Sequence, residues 1–412
     1  MRLRLLLISL LFLGTALCAR AGVIRVCSSC TIRDALARAR DGDTVLVNGG
    51  IHYEAGLEIT RRIALIGTGR PVIDGQNKGT ILTVLADSVT ISGFRFQNVL
   101  QSYTKDFAAI RAYKATGIHI RDNVLRRVFF GILIEQCKHG IIEANTISSL
   151  HKDEASAGNG VHIWKSAHMK VLHNEIFNMR DGIYFEFVKR SRIAHNFSHD
   201  NIRYGLHFMF SNNDKYMHNR FARNGAGVAV MFSKRITMTD NIFFDNWGDA
   251  SYGLLLKEIY DARIRHNIFR RNTIAINLEG STRIDYRFND FLNNGWAVRV
   301  TGACYQNEFI HNNFISNSFD ISYNGQVNNN KFEQNYWSEY SGYDLDKDGI
   351  GDVPFRPVKL FSYVVNHTPE TIVLMRSLFV DLLNFSEKVS PVFTPDNLID
   401  PQPLMKPVHD RD

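Results

Sequence analysis

The chain has 412 residues, a formal net charge of +7 and 45% hydrophobic residues. This length allows one large domain or two ordinary ones. The positive charge is mild and spread along the chain without a block of Lys or Arg, which argues against nucleic-acid binding.

The first 21 residues predict a secretory signal peptide. Arg2 and Arg4 provide a charged start, residues 5–17 are apolar, and residues 19–21 (Ala-Arg-Ala) form a small-residue cleavage site. The apolar run is too short for a retained membrane span. Removing this segment takes away three arginines and no acid, so the net charge falls to +4. We therefore expect an exported protein that begins at Gly22.

Two features mark the start of the mature chain. Cys27 and Cys30 form a Cys-x-x-Cys pair, for which a local disulfide is the simpler interpretation in an exported protein and a metal-thiolate site is the alternative. Thr31 to Asp34 then read as a capping box, which predicts a short helix ending near Arg40. Such a helix would cover the open end of a stacked fold.

Internal repetition indicates the fold. The unit is Asn-x-apolar-x-x-Asn, a turn, then a glycine followed by alternating apolar residues, with a period mostly of 22 or 23 residues. This period without a helical stripe predicts an all-β, right-handed parallel β-helix whose coils stack at strand spacing. Asn suits left-handed corners and can form ladders between coils. The first Asn falls at 123, 145, 174, 196, 219, 241, 267, 289, 312 and 330, and the phenylalanines expected to stack inside are Phe221, Phe243, Phe269, Phe291, Phe314 and Phe332.

Aligning the repeats by their glycine separates the two sides of one sheet. Apolar residues directly after each glycine and two further on should line the core, because side chains alternate across a strand. In the run 203–214, Phe210 is assigned to that apolar side with Leu206 and Phe208. Two outward columns result: His162, Tyr184, His207, Ala229 and Leu255 in the first, and Trp164, Glu186, Met209, Met231 and Lys257 in the second.

The outward columns predict a contact face. Met209 and Met231 should lie in adjacent coils about 5 Å apart, beside His207. Thioether and imidazole groups suit Cu(I), so these three are candidate ligands for transient copper. Two insertions, at residues 151–158 and 246–251, should border this face. Five other outward side chains are assigned to binding: His162, Trp164, Tyr184, Glu186 and Lys257. Of these, Trp164, Tyr184 and Glu186 could equally line a sugar groove.

A second motif follows the repeats. Aspartates stand at places 1, 3, 5 and 9 of a loop with Gly349 at place 6, which is the spacing of a calcium loop. The usual Glu at place 12 is replaced by Phe355. Calcium binding and a tight acidic turn are the alternatives. The four carboxylates are Asp344, Asp346, Asp348 and Asp352.

The C-terminal segment lies outside the repeat. Residues 368–370 (Thr-Pro-Glu) predict the start of a helix, and the proline-rich tail beyond it should be extended. The chain is therefore divided into a signal peptide (1–21), a β-helix domain with its N-terminal cap (22–360), and a C-terminal helix with a partner-binding tail (361–412). The predicted apolar face of the helix is Ile372, Met375, Phe379 and Leu382.

Several segments resemble one family, and together they cover nearly all of the mature chain. They are RDGIYFEFV (180–188), RYGLHFMFSNND (203–214), NGAGVAVMFS (224–233), ASYGLLLKEI (250–259) and GYDLDKDGIGDVPFRPV (342–358). These are similar to the NosD family of periplasmic maturation proteins for nitrous oxide reductase, within the wider carbohydrate-binding and sugar-hydrolase β-helix group.

The resemblance implies a non-catalytic periplasmic partner of an ABC-type complex. That complex would contain a membrane subunit and a cytoplasmic ATPase, and would assemble copper sites of nitrous oxide reductase with copper from the chaperone NosL. The chain would then meet the membrane only through its partners. The alternative hypotheses are a polysaccharide lyase or hydrolase and a carbohydrate-binding module on the same fold.

Overall fold

The computed structural model describes residues 21–27, 30–150, 153–248, 251–324, 329–375, 377–389 and 398–408. The predicted signal peptide, except Ala21, lies outside these residues. The described chain winds as a parallel β-solenoid of about 13 coils, which confirms the predicted fold class. Each full coil adds one strand to each of three sheets, and strands pair in parallel with the corresponding strands of the coils before and after.

The strand bounds follow the three sheets. Sheet 1 contains Val23–Val26, Thr44–Asn48, Ala64–Thr68, Thr90–Ser92, His119–Arg121, Ile141–Glu143, Lys170–Leu172, Arg192–Ala194, Lys215–Met217, Thr237–Thr239, Tyr260–Arg265, Thr282–Arg287, Glu308–Ile310 and Lys331–Glu333. Sheet 2 contains Leu57–Ile59, Leu82–Val84, Ala108–Tyr113, Phe130–Glu135, Val161–Trp164, Asp181–Glu186, Tyr204–Met209, Ala226–Met231, Tyr252–Lys257, Ile274–Glu279, Trp296–Thr301 and Phe319–Asn324. Sheet 3 contains Ile51–His52, Val72–Asp74, Arg95–Gln97, Val124–Arg126, Thr146–Ser148, Glu175–Phe177, Phe197–His199, Arg220–Ala222, Ile242–Phe244, Ile268–Arg270, Asp290–Leu292, Asn313–Ile315 and Tyr336–Trp337.

Buried asparagines join successive coils. In the longest ladder, Nδ2 of each Asn donates to Oδ1 of the next at 2.9–3.1 Å, from Asn123 to Asn335. The last step corrects the sequence prediction, because Asn312 bonds to Asn335, whereas Asn330 continues the ladder of Asn307. The Asn-x-aromatic pattern occurs twice in these last coils, so the motif alone selected the wrong copy, although Asn335 lies at the regular interval of 23 residues from Asn312.

The aromatic stack inside the solenoid shows the same shift. From Phe221 to Phe314 the rings lie 4.6–5.5 Å apart between centroids, as predicted. Trp337 then continues the stack at 4.1 Å, and Phe332 instead stacks on Phe309. Stacked rings of this size fill the core and favour one register between coils.

The N-terminal cap follows the sequence prediction closely. Helix α1 spans Ile32–Arg38, and the Thr31 side chain accepts a hydrogen bond from the backbone N–H of Asp34 at 3.0 Å. The helix buries Ile32, Ala35 and Leu36 against the first coils. Cys27 and Cys30 form a disulfide just before it, with their Cα atoms 5.0 Å apart.

The C-terminal segment differs from the predicted single helix. Helix α2 spans Leu360–His367, a 3₁₀ helix spans Pro369–Leu374, and helix α3 spans Leu378–Val389. Thr368 precedes the first residue of the 3₁₀ helix, so a helix begins at the predicted position, but it is a 3₁₀ helix that ends at Leu374. Among the described residues no helix is long and apolar enough to cross a membrane.

These helices pack on the outer side of sheet 2. Their buried side chains, Phe361, Val365 and Val380, form one cluster with Ile274, Trp296 and Phe319 of the last three sheet-2 strands. Of the predicted apolar face, Met375 packs against this cluster, whereas Ile372, Phe379 and Leu382 are exposed. A row of large apolar side chains stays exposed on the outside: Ile372, Val373, Leu374, Leu378, Phe379, Leu382 and Phe385.

The tail is not wholly extended, because residues 398–408 fold back onto the last coil. Asp400 is fully buried and accepts hydrogen bonds from the backbone N–H and Nδ2 of Asn335 and from Nε1 of Trp337. It thus satisfies the end of the longest asparagine ladder. Leu404 adds a parallel bridge to Tyr336, so this segment covers an edge that would otherwise be open.

We predict that Asp400→Ala destabilises the C-terminal coils. The substitution leaves buried donors of Asn335 and Trp337 unpaired, and each such group costs about 1–3 kcal/mol. Urea unfolding should show a loss of at least about 2 kcal/mol. The exposed control Asp106→Ala should stay within about 0.5 kcal/mol of the unchanged protein. Equal stability of the two variants would contradict the capping role.

Candidate functional site

The outer face of sheet 2 brings the predicted binding residues into register. His162 pairs with Tyr184, and Tyr184 pairs with His207, in one column. Met209 pairs with Met231 in the second column. The column order predicted from the glycine alignment is therefore correct through Leu255 and Lys257.

His207 faces outward, as its register requires, but it does not lie on the surface as predicted. It is only 6% exposed, because the rings of Tyr184 and Tyr204 lie 4.9 and 4.8 Å from its own. Neither ring nitrogen has a hydrogen-bond partner within the described residues. Leaving such a group unpaired is unfavourable by about 1–3 kcal/mol, so the imidazole has nitrogen lone-pair capacity that a ligand could use.

Asp181, which the sequence prediction missed, lies beside this imidazole. Its Oδ2 is 3.5 Å from Nδ1 of His207, longer than a normal N–H···O hydrogen bond. The carboxylate is completely buried. Burial acts to raise the pKa of Asp181, but hydrogen bonding and charge from Arg203, with a further contribution from nearby His207, outweigh it and hold that pKa below its usual value. The site therefore contains a buried, ionised carboxylate.

Arg203 pairs with this carboxylate through two nitrogens. Nε lies 2.9 Å from Oδ1 of Asp181 and Nη2 lies 2.6 Å from Oδ2. Nη1 reaches Glu154 of the first predicted insertion at 3.2 Å, and the guanidinium lies 5.0 Å from the ring centre of Tyr204. The insertion thus borders the face as expected. Asp181 directly precedes the glycine of its repeat. The glycine alignment considered only the residues after each glycine, so the column of residues before the glycines, which contains Asp181, was not used.

Tyr184 links the imidazoles to the sulfur atoms. Its ring lies 4.7 Å from that of His162, and its hydroxyl donates to Sδ of Met209 at 3.9 Å. Burial, helped by the charges of Glu186 and Asp181, raises the pKa of Tyr184 to about 12. Burial and then the charge of nearby Arg180 lower the pKa of His162 to about 4. At neutral pH both side chains are therefore uncharged.

The methionines lie at the more open side of the face. Met209 and Met231 are half-buried and occupy neighbouring coils in register. At one strand spacing, their Cα atoms are about 4.8 Å apart. Lys257 follows Met231 in the same column and forms an ion pair with Glu279 at 2.8 Å. The sulfur pair is therefore bounded on this side by a charged pair.

Three exposed phenylalanines run beside the methionine column. Phe187, Phe210 and Phe232 are 37–41% exposed and stack at centroid distances of 5.1 and 5.2 Å. All three have φ near +50°, because they turn the corner after their strands end. The assignment of Phe210 to the core is therefore wrong, since period-2 alternation stops at Met209.

The remaining predicted residues flank this face. Trp164 is half-buried, and the ammonium of Lys165 lies 4.3 Å from its ring centre. Glu186 is half-buried in register between Trp164 and Met209. These groups extend the face by two coils toward the N-terminus and add one carboxylate to it.

The aspartate loop is a separate feature at the C-terminal end. Carboxylate oxygens of Asp344, Asp346 and Asp348 lie within 4.8 Å of one another. Asp352 is not in that group and accepts a hydrogen bond from the backbone N–H of Leu345. The loop touches the capping tail, because Gly349 accepts a hydrogen bond from the backbone N–H of Met405.

Fold and face together define the class: a parallel β-helix protein with an outer sheet face rich in sulfur, imidazole and aromatic groups. Family models agree on this class. Residues 79–213 match a right-handed β-helix region, and residues 148–342 match NosD, described as a periplasmic copper-binding protein. The chain thus carries a NosD-family domain and is a homologue of NosD proteins, as the sequence resemblance predicted.

Curated relatives extend this match to most of the chain. A probable ABC transporter binding protein NosD of Pseudomonas aeruginosa is 28% identical over 97% of this chain and 95% of its own length. A protein with the same description from Stutzerimonas stutzeri is 28% identical over 81% of this chain and 80% of its own length.

Solved structures show the same fold at low identity. A family 28 exopolygalacturonase of Yersinia enterocolitica has a TM-score of 0.61 and 9% identity, covering 76% of this chain and 79% of its own. The A-module of a mannuronan C-5 epimerase, AlgE4, from Azotobacter vinelandii has a TM-score of 0.56 and 13% identity, covering 72% and 92%. At these identities the likeness concerns the solenoid alone.

Proposed function

We propose that the chain is a periplasmic, non-catalytic component of an ABC-type complex that handles copper during assembly of nitrous oxide reductase. Its relatives are named as ABC transporter binding proteins, and the matching family is described as copper-binding. ATP hydrolysis would belong to a partner subunit. The single observation that carries the proposal is the buried imidazole of His207, whose ring nitrogens have no hydrogen-bond partner in the described part of the chain and which lies beside the column of two thioethers.

The residues of the face fit copper as a cargo. His207, Met209 and Met231 offer one borderline nitrogen and two soft sulfur donors, all uncharged when the imidazole is neutral. Such donors suit Cu(I) better than hard cations. The half-buried sulfur atoms give access from solvent, and an ion held by neutral donors can pass to a partner with stronger ligands.

The phenylalanine ladder supports a protein partner at this face. Phe187, Phe210 and Phe232 stack face to face, so both faces of the central ring are covered and its exposed part is the ring edge. Sugar rings bind aromatic faces, whereas an apolar edge of this kind suits burial against another protein. We assign the face to docking of the copper chaperone NosL or of nitrous oxide reductase.

The carbohydrate alternative has weaker support. Hydrolysis would need two carboxyl groups about 5–10 Å apart. Glu186 and Glu279 share an outward column but are separated by four coils, which is about 19 Å.

The exposed row on the C-terminal helices is our proposed contact with the membrane subunit. Leu378, Phe379, Leu382 and Phe385 lie on one side of α3 and are more than half exposed. A helix that is anchored on sheet 2 and apolar outward fits the groove-binding mode of helix recognition.

We predict that the copper face can be disabled without unfolding the protein. The triple change His207→Asn, Met209→Leu, Met231→Leu removes the donors but keeps side-chain size. Titration with Cu(I) against a competing chelator should show at least a tenfold weaker affinity, or about 1.4 kcal/mol. The matched control is His218→Asn with Met217→Leu, on another side of the same coils. Equal affinity in the triple variant and the control would reject His207, Met209 and Met231 as ligands.

We predict that α3 carries the contact with the ABC membrane subunit. Phe379→Ser with Leu382→Ser should reduce co-purification of that subunit, because the apolar contact is lost, while leaving the copper affinity unchanged. The control Asp381→Ser alters an exposed polar residue of the same helix. A variant that co-purifies as well as the control would place the contact elsewhere.

We also propose calcium in the loop from Asp344 to Asp352. A ligand that binds only the folded state stabilises it by mass action. Chelation should therefore lower the melting temperature, and Asp346→Ala should abolish that response. Because the loop contacts Met405, the loss should appear in the C-terminal coils. If neither chelation nor Asp346→Ala changes the melting temperature, the loop is a tight acidic turn and not a calcium site.

A further inference from the structure

Arg203 pairs with Asp181, the buried carboxylate beside His207, which could otherwise make the face a different metal site. Asp181 is the buried carboxylate at the face, and both of its oxygens are held by the guanidinium. Arg203 is itself fixed by Glu154 and by the ring of Tyr204. The carboxylate is therefore engaged through a rigid bidentate pair rather than a mobile surface contact.

Without this pair, the geometry would favour a harder ion. Oδ2 of Asp181 and Nδ1 of His207 are 3.5 Å apart. A divalent ion such as Zn²⁺ lies about 2.0–2.2 Å from nitrogen and carboxylate ligands, so this separation allows one ion to bind both atoms. Carboxylate and imidazole together suit Zn²⁺, whereas the thioethers contribute little to its binding.

We propose that Arg203 is a specificity-determining residue that keeps the face selective for a monovalent soft ion. It occupies the oxygen atoms of Asp181, and its positive charge balances theirs. The donors left available are the imidazole of His207 and the thioethers of Met209 and Met231. This inference rests on the proposed copper face and adds the reason why abundant divalent ions would not fill it.

The test compares metal affinities of purified, full-length variants. Arg203→Leu should gain at least tenfold in Zn²⁺ affinity, and its preference for Cu(I) over Zn²⁺ should fall accordingly. The double variant Asp181→Asn, Arg203→Leu should show no gain, because it has no carboxylate to release. Zinc is redox-inert, so its binding can be followed by calorimetry without oxidation of the protein.

A matched control separates this effect from the loss of any arginine. Arg271 holds both oxygens of Asp245 in the same bidentate way, on a different part of the solenoid. Arg271→Leu should therefore leave Zn²⁺ affinity unchanged. If Arg203→Leu does not fold, Arg203→Lys carries the test, since an ammonium keeps the charge but releases one oxygen.

The outcomes distinguish the two proposals. No Zn²⁺ gain in a folded Arg203→Leu variant (or in Arg203→Lys, where Arg203→Leu does not fold), or an equal gain in the double variant or in Arg271→Leu, would overturn the role of Arg203. If the unchanged protein and the His207→Asn variant bind Cu(I) equally well, the copper face itself is wrong, whatever zinc does.

Discussion

The structure depends on stacking coils at one strand spacing without loss of register. The asparagine ladders enforce this register, because each buried amide bonds both to the next amide and to backbone carbonyls of neighbouring segments. A coil that slipped by one residue would leave several of these polar groups unpaired, at about 1–3 kcal/mol each. The aromatic stacks add a second constraint on the same register.

This register brings residues from successive repeats together on the outer face of sheet 2. Residues 22 or 23 apart in sequence become neighbours about 4.8 Å apart. Met209 and Met231, or Tyr184 and His207, therefore meet only because intervening coils have a fixed length. The face is also finite: helices α2 and α3 cover its C-terminal end, and the Glu154 insertion borders its other side.

Within that face, charge is concentrated in one buried pair. Asp181 and Arg203 compensate each other in a place where an isolated charge would be strongly unfavourable. Tyr184 and His162 stay neutral, so the charge next to the imidazole of His207 is confined to the compensated Asp181–Arg203 pair. A soft ion loses less hydration on entering such a site than a divalent ion does, which links the electrostatics of the face to the kind of cargo it fits.

The sequence by itself determined the solenoid, its N-terminal cap and the two outward columns, because these follow from periodicity and local hydrogen bonding. Only the tertiary structure decided how deeply each outward residue is buried. His207 and Met209 share one strand face, yet two tyrosines cover the first and leave the second accessible. Likewise, Asp400 caps a ladder that ends 65 residues earlier, and no local pattern records that contact. Alternation fixes the direction of a side chain, whereas its burial and charge partners come from other coils, loops and the returning tail.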